Sequence, residues 1–506
     1  MAKKSLICSI VCGVLGVILV VIGCVLIHVF KQMIHTQIKE HIPLKNGSDT
    51  YEDWVVPPAP IYFQVWVFNV VNPDEIIKNG AIPVLEERGP YTYREYRTKK
   101  KIDFIEKNAT VTYMEDRAYV FDRNMSCGPE TDRFTTLNIL LVTVLNMIRF
   151  EYGAVKEAFQ IFLDLFPNVH MFLSLSVHDV LWGYEDPLIK DLEDFIFNWT
   201  HKTIPFDDHV GLFYKKNGTD DGIYNIYTGS DDVDKFGVIA TWNYNSSLNW
   251  WSTPYANMLN GSDGTLFPPF VDSSRPLYLY ASDVCRSLEI VYKYGYKLKD
   301  IDLLRYVVPP SSFRNVTSNP DNIGFCTPFA NLSDTSDCNP GGVLNASVCK
   351  QDAPFLFSSP HFLFADDSVL YGVKGMHPSL EKHQTFLDVE PMTGVVMNAA
   401  KKLQLNFNIQ KIDNITETLQ IKKPIIFPMM WLNENAKIDD KSANKFKSEV
   451  MGPIKITEAV QYGLITLGVF IIVCVLAIGL KRLLCKRSDS HSPLESLQEE
   501  KQPLLQ

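Results

Sequence analysis

The sequence predicts an α+β membrane glycoprotein: two transmembrane helices, one near each end, flanking a large, mainly β-stranded domain outside the cytoplasm. Three observations lead there. Residues 5–30 and 459–480 contain no Asp, Glu, Lys or Arg. Each run exceeds the roughly 20 residues an α-helix needs to cross about 30 Å of hydrocarbon. Eleven Asn-X-Ser/Thr sequons all lie between the two runs, starting at Asn46, Asn108, Asn124, Asn198, Asn217, Asn245, Asn260, Asn315, Asn331, Asn345 and Asn414. The same stretch is rich in short β-type segments bounded by Pro, Gly, Asn or Asp, without a βαβ rhythm, which favours an antiparallel barrel or sandwich.

The N-terminal segment 1–4 carries Lys3 and Lys4, and the apolar run 5–30 follows directly. A cleaved signal peptide is the competing reading, but its apolar core would be about 7–15 residues long and end at a small-residue site. The run is longer and lacks such a site, so it reads as a retained anchor. The second span, 459–480, leads into Lys481, Arg482, Lys486 and Arg487. Basic residues favour the cytoplasmic side. Both tails, 1–4 and 481–506, are therefore expected in the cytosol, with residues 31–458 as the ectodomain. The confinement of the sequons to 31–458 agrees, because N-glycans are added on the lumenal side.

Composition fits a folded ectodomain, with 46% hydrophobic and 12% aromatic residues. Of the net charge of −10, the N-terminal segment contributes +2 and the C-terminal tail +1, which leaves −13 outside. Such a surface disfavours nucleic acid or anionic headgroups as diffuse partners. Five of the ten cysteines fall in the ectodomain: Cys127, Cys285, Cys326, Cys338 and Cys349. The last four cluster and read as two disulfides, with three connectivities open and Cys127 left over. Zinc is disfavoured, since there is no CxxC pair and no suitably spaced His. Cys485, in the basic flank, is a candidate for palmitoylation.

Within the ectodomain, residues 61–70, 110–116, 222–229, 276–282 and 423–432 read as strands. In 403–410, Leu403, Leu405, Phe407 and Ile409 alternate with Gln404, Asn406, Asn408 and Gln410, which predicts one buried and one wet face. Residues 137–200 read as mainly helical. There Val155, Ala158, Phe159, Phe162, Leu163 and Phe166 recur at helical spacing. The opposite face carries Lys156, Glu157, Gln160 and Asp164, together with Ile161 and Leu165. The plain reading is a core helix with a few exposed aliphatics; the sharper one is a partner-binding helix with an apolar strip.

No GxSxG, HExxH, phosphate loop or CxxC occurs, so neither catalytic residues nor a cofactor is expected. His377 and His383 bracket Glu381 at a superficially metal-like spacing, but Pro378 and the six-residue separation argue against a shared helical face. His170, His178, His201 and His209 are read as surface or capping residues, with a pH switch as the competing role.

The motifs NPDEI (72–76), GPYTYRE (89–95), LWGYEDP (181–187), GLFYKKNGT (211–219), NMLNGSDG (257–264), CRS (285–287), PHF (360–362), GMHP (375–378) and LDVEPMTG (387–394) resemble, in order and spacing, the class B scavenger receptors. That family includes platelet glycoprotein 4, a high-density-lipoprotein receptor and a lysosomal integral membrane protein. The resemblance spans nearly the whole ectodomain and both anchors. It implies an antiparallel β-barrel with an apical helical bundle and a hydrophobic tunnel. It also implies a receptor that binds lipids (fatty acids, sterols, phospholipids) or lipoproteins and passes lipid toward the membrane. The family's bridges map onto Cys285–Cys349 and Cys326–Cys338; a third, present in some relatives, falls on Ala256 and Gly324 and is absent here.

Two departures bear on function. No Lys or Arg occurs between Glu157 and Ile189, whereas surface relatives use apical cations to attract anionic ligands. No His occurs from 138 to 169, where the lysosomal relative places a pH-sensing histidine in its hydrolase-carrying helix. The tail ends in EEKQPLLQ, with Glu500 four residues before the pair Leu504–Leu505. This matches an acidic dileucine address read by clathrin adaptors, and Pro503 favours an extended approach to it. The tail brings the chain nearest the lysosomal relative. The expected function is therefore a lysosomal or late-endosomal lipid receptor. The alternatives are a sorting receptor carrying a soluble lysosomal hydrolase on its apical helices, and a plasma-membrane uptake receptor.

Overall fold

The computed structural model describes residues 2–326, 338–350 and 353–489. They divide into two compact units, the described residues up to 40 with those from 444 onward, and the described residues between 41 and 443. In the first unit, the helices Ala2–His41 and Gly452–Asp489 contain stretches long and apolar enough to span a membrane. The N-terminal helix runs 40 residues, about 60 Å at 1.5 Å per residue, and so continues well past the apolar run. Glycines let the two backbones approach. A Cβ on Gly16 would lie 2.8 Å from Ile472 Cγ1 and 3.0 Å from the Gly468 carbonyl, so only small residues fit at this crossing.

The second unit is built on a 13-stranded antiparallel sheet. In spatial order its main path is Ile239–Trp242, Ile223–Tyr227, Thr110–Phe121, Leu85–Ile105, Ile61–Val70, Ile425–Lys437, Val396–Ile409, Phe386–Val389, Ile301–Val307, Arg286–Leu298 and Leu277–Ala281. Ser262 bridges Val238, next to one edge, and Leu279 in the other edge. The Tyr280 amide donates to the Ser262 carbonyl at 2.8 Å, and that of Ser262 to Tyr278 at 3.1 Å. One residue thus almost closes the sheet into a barrel, which satisfies edge groups that would otherwise face water. Each of the segments read as strands contributes one. Val343–Asn345 and Phe355–Ser358 form a spur on Val396–Ile409.

That spur overturns the expected wet face of 403–410. Gln404 and Asn406 are fully buried, because Phe355–Ser358 lies beside them and bonds Asn406, while Gln404 is bonded by Asn406 and by the His361 amide. Asn406 Nδ2 donates to the Leu356 carbonyl and to Ser358 Oγ, both at 3.1 Å, and Gln404 Nε2 to Asn406 Oδ1 at 2.8 Å. The 137–200 region is also less uniform than its apolar character suggests. Helices Ile139–Ile148, Gly153–Asp164, Val177–Trp182 and Ile189–Thr200 are interrupted by the strand Phe172–Ser176, which pairs with Arg133–Leu137. The alternating FLSLS suits that strand better than a helix turn.

Disulfides join Cys285 to Cys349 and Cys326 to Cys338, while Cys127 is a free, exposed thiol. Ala256 and Gly324 are neighbours: a Cβ on Gly324 would lie 2.6 Å from that of Ala256.

Candidate functional site

The helix Gly153–Asp164 buries Val155, Phe159 and Leu163. Phe195 of the helix Ile189–Thr200 packs on Phe159 and Phe162 at centroid distances of 5.2 and 5.4 Å. Phe162 packs in turn against Phe166 at a centroid distance of 5.0 Å. The polar side of the helix is occupied as well. Glu157 Oε1 accepts from Asn414 Nδ2 at 3.3 Å, and Gln160 Oε1 from the Thr416 amide at 2.8 Å. Ile161 and Leu165 are left in solvent, 64% and 72% exposed, and Phe150, Tyr152, Phe197 and Trp199 are exposed on the same group of helices. No cation occurs between Glu157 and Ile189, so around Ile161 and Leu165 the surface suits an apolar ligand better than an anionic one, while Phe150 lies under the Arg149 guanidinium at 4.3 Å. His170 lies 3.8 Å from Glu417, and His209 packs against Tyr214 at 4.8 Å.

Inside the barrel the side chains are strongly charged, which the sequence did not reveal. On Leu85–Ile105, the residues Glu95, Arg97 and Lys99 share the inward face with Tyr91 and Tyr93, and Arg97 sits directly opposite Arg117. The like charges are offset by carboxylates. Arg97 Nε binds Glu95 at 2.7 Å, Lys99 binds Glu115 at 2.8 Å, Arg117 binds Asp221 at 3.2 Å, and Lys401 binds Glu434 at 3.3 Å. Arg97 also reaches Glu434, and Lys401 reaches Asp283. Partners several strands apart can meet only on the enclosed side of the sheet. Burial raises Glu434, but Arg97, Lys401 and Arg117 outweigh it and hold the carboxyl at about 2. Burial also raises Glu95, and there it wins over the Arg97 charge.

A second polar cluster joins two of the family-like motifs, PHF and GMHP. His361 and His383 stack at 4.4 Å and 12°. His361 Nδ1 accepts from the His377 amide at 3.0 Å, and His383 Nδ1 from the Ser379 amide at 3.0 Å. Each ring therefore carries its proton on Nε2, and that of His361 points to Glu87. Glu87 also accepts from Trp431 Nε1 at 2.7 Å. Trp431 stacks face to face on Trp66 at 3.8 Å. Burial, and then the neighbouring His361 ring, lowers His383 to about 4. His377 contributes its backbone amide to this cluster and His383 its ring. Among the described residues no group of three or more His, Cys, Asp and Glu is placed to hold a metal ion.

All ten described sequon asparagines lie at the surface, seven exposed and three half-buried. Asn331, and the tail signal Glu500, Leu504 and Leu505, lie outside the described residues. Cys485 lies on the helix Gly452–Asp489.

The sequence profile of the CD36 family matches residues 14–478. Lysosome membrane protein 2 of Mus musculus is 38% identical over 466 residues, 92% of this chain and 93% of that protein. The Homo sapiens protein of the same name is 36% identical over 501 residues, 98% of this chain and 99% of its own length. Scavenger receptor class B member 1 of Bos taurus is 32% identical over 456 residues, covering 90% of this chain and 86% of that protein.

Proposed function

The chain belongs to the CD36 family, and on that premise we propose that it is a lysosomal or late-endosomal membrane receptor that binds lipid or lipoprotein and passes lipid through its ectodomain. The observation that carries this reading is the apical surface, with Ile161, Leu165, Phe150, Tyr152, Phe197 and Trp199 exposed and no cation from 158 to 188. Exposed apolar area of this kind lowers its free energy by taking up an apolar ligand. The ligand class is fatty acids, sterols, phospholipids or lipoproteins. A lipid passage has to run beside the ion network, because hydrocarbon against Arg97, Glu115 and Lys401 would leave their charges poorly solvated. The receptor role requires no catalytic residue or cofactor. Mass spectrometry of lipids extracted from the purified ectodomain tests the proposal: enrichment over a mock preparation is expected, and an ectodomain repeatedly free of lipid refutes it.

The address is the dileucine tail, and the names of the lysosomal relatives support the same compartment. The Leu504→Ala/Leu505→Ala variant is expected to move from lysosomes to the cell surface. If parent and variant both reside at the plasma membrane, the surface-receptor alternative replaces the lysosomal one, and clathrin adaptors are removed as partners.

A specific observation favours a second activity, carriage of a soluble lysosomal hydrolase. Glu157 and Gln160 are held by the 414–416 loop, so Ile161 and Leu165 are what the helix offers a protein partner. Ile161→Asp and Leu165→Asp should abolish co-precipitation of that enzyme; undiminished capture excludes this surface.

A further inference from the structure

The amide of Asn217 is held differently from those of the other described sequon asparagines. Its Oδ1 accepts from the Tyr119 amide at 2.9 Å, and its Nδ2 donates to the Tyr119 carbonyl at 3.1 Å. The backbone donor and acceptor of Tyr119 fix which end of the amide is oxygen and which is nitrogen. Arg117 continues the pairing, accepting from the Gly218 amide at 2.8 Å and donating to the Thr219 carbonyl at 3.0 Å. The side chain thus fills the place of a strand residue beside Thr110–Phe121. The Nδ2 proton used is the one syn to Oδ1, the position that C1 takes in a trans N-glycosidic amide, so attachment exchanges the bond to the Tyr119 carbonyl for the sugar and keeps the Tyr119 amide on Oδ1. By contrast, Asn245 bonds only two residues away, and Asn315 and Asn414 donate to the side chains of Asp366 and Glu157 rather than pairing with a strand backbone.

Asn217 also lines a cavity of about 380 Å³. Tyr119, Phe121, Trp182, Phe213 and Tyr214 supply its aromatic walls, and Glu130, His178 and Lys215 its polar groups. Aromatic faces accept the C–H face of a pyranose, while polar groups at the margin meet its hydroxyls and acetamido group. We infer that the first N-acetylglucosamine carried by Asn217 packs into this cavity, so that the glycan forms part of the fold where the barrel meets the helices. Attachment joins Nδ2 to C1 of the sugar. The C1–O bond to a polyprenyl-diphosphate oligosaccharide donor breaks, the diphosphate leaves, and the amide proton is released.

The test is site-resolved release of glycans from the native full-length protein by peptide:N-glycanase in labelled water, read by mass spectrometry. Asn217 is expected to be occupied and to be released about tenfold more slowly than Asn108 or Asn46, a factor equivalent to about 1.4 kcal/mol. The Phe121→Ala variant should remove that protection while leaving occupancy unchanged. An unoccupied Asn217, or release at the rate of the exposed sites, overturns the inference. As a second readout, Thr219→Ala destroys the sequon and Thr219→Ser keeps it; because Thr219→Ala also loses the Thr219 hydroxyl that donates to the Lys215 carbonyl at 3.2 Å, the two are compared both glycosylated and expressed without N-glycans. A melting temperature lower for Thr219→Ala by more in the glycosylated pair is expected, and an equal difference in both pairs counts against a packed sugar.

Discussion

At the scale of single residues, the family-like motifs resolve into physical demands. Gly375 of GMHP has φ +97°, and a Cβ there would overlap the Leu85 carbonyl, so the position excludes a side chain twice over. Gly375→Ala is expected to destabilise the ectodomain by about 2–4 kcal/mol, visible as a lower denaturation midpoint; an unchanged midpoint would refute this close approach. His383 carries a pH dependence. Its folded value of about 4 lies below the ordinary 6.5 or so of an unfolded histidine, so the unfolded chain binds the proton first. Stability is then full above about pH 6.5 and falls as the pH drops toward 4. His383→Asn keeps an acceptor for the Ser379 amide and removes the titration. Melting curves between pH 7 and 4.5 should be flatter for the variant than for the parent, and parallel curves would exclude His383 as the source.

At the scale of elements, the apical helix divides its residues by depth. Phe159 is fully buried, whereas Ile161 is 64% exposed. Phe159→Ala should cost about 3–5 kcal/mol, while Ile161→Asp should stay within about 0.5 kcal/mol. Comparable losses in chemical denaturation would contradict the packing against Phe195. This division was legible in the helical spacing of Val155, Phe159 and Leu163, as were the strands at 61–70 and 423–432 and both apolar spans. The fate of Gln404 and Asn406 was not, since alternation reports side-chain polarity and not whether a second strand arrives to bond it. The spur Phe355–Ser358 pairs across some 50 residues of chain, a contact that no local window contains. The inward charges of Glu95, Arg97 and Lys99 were hidden for the same reason. Their neighbours Arg94 and Lys100 are also charged, so polarity along that strand does not say which face is enclosed.

At the scale of the whole ectodomain, the barrel interior determines how the protein responds to acid. Four cations, Arg97, Lys99, Arg117 and Lys401, face five carboxylates, Glu95, Glu115, Asp221, Asp283 and Glu434. Burial raises Glu95 above the ordinary carboxylate value, against the pull of Arg97. Glu115 and Glu434 are held below the usual carboxylate range, so they remain ionised when their unfolded counterparts, with values near 4.5, have taken a proton. Their contribution is fully present above about pH 4.5 and is lost as the pH falls toward 2. The two acid-sensitive windows therefore follow in sequence, with His383 acting between about 6.5 and 4 and the network mainly below that. In the acidic compartment proposed above the network is still intact. Glu434→Gln leaves Arg97 and Lys401 each short of a buried partner, and about 3–5 kcal/mol should be lost at pH 7. Because the parent loses its own Glu434 contribution in acid, the gap between the two proteins should narrow from pH 4.5 to 3. Denaturant midpoints across that range decide the matter. A gap independent of pH would mean that the substitution acts through packing, and no gap at pH 7 would mean that the network contributes no stability.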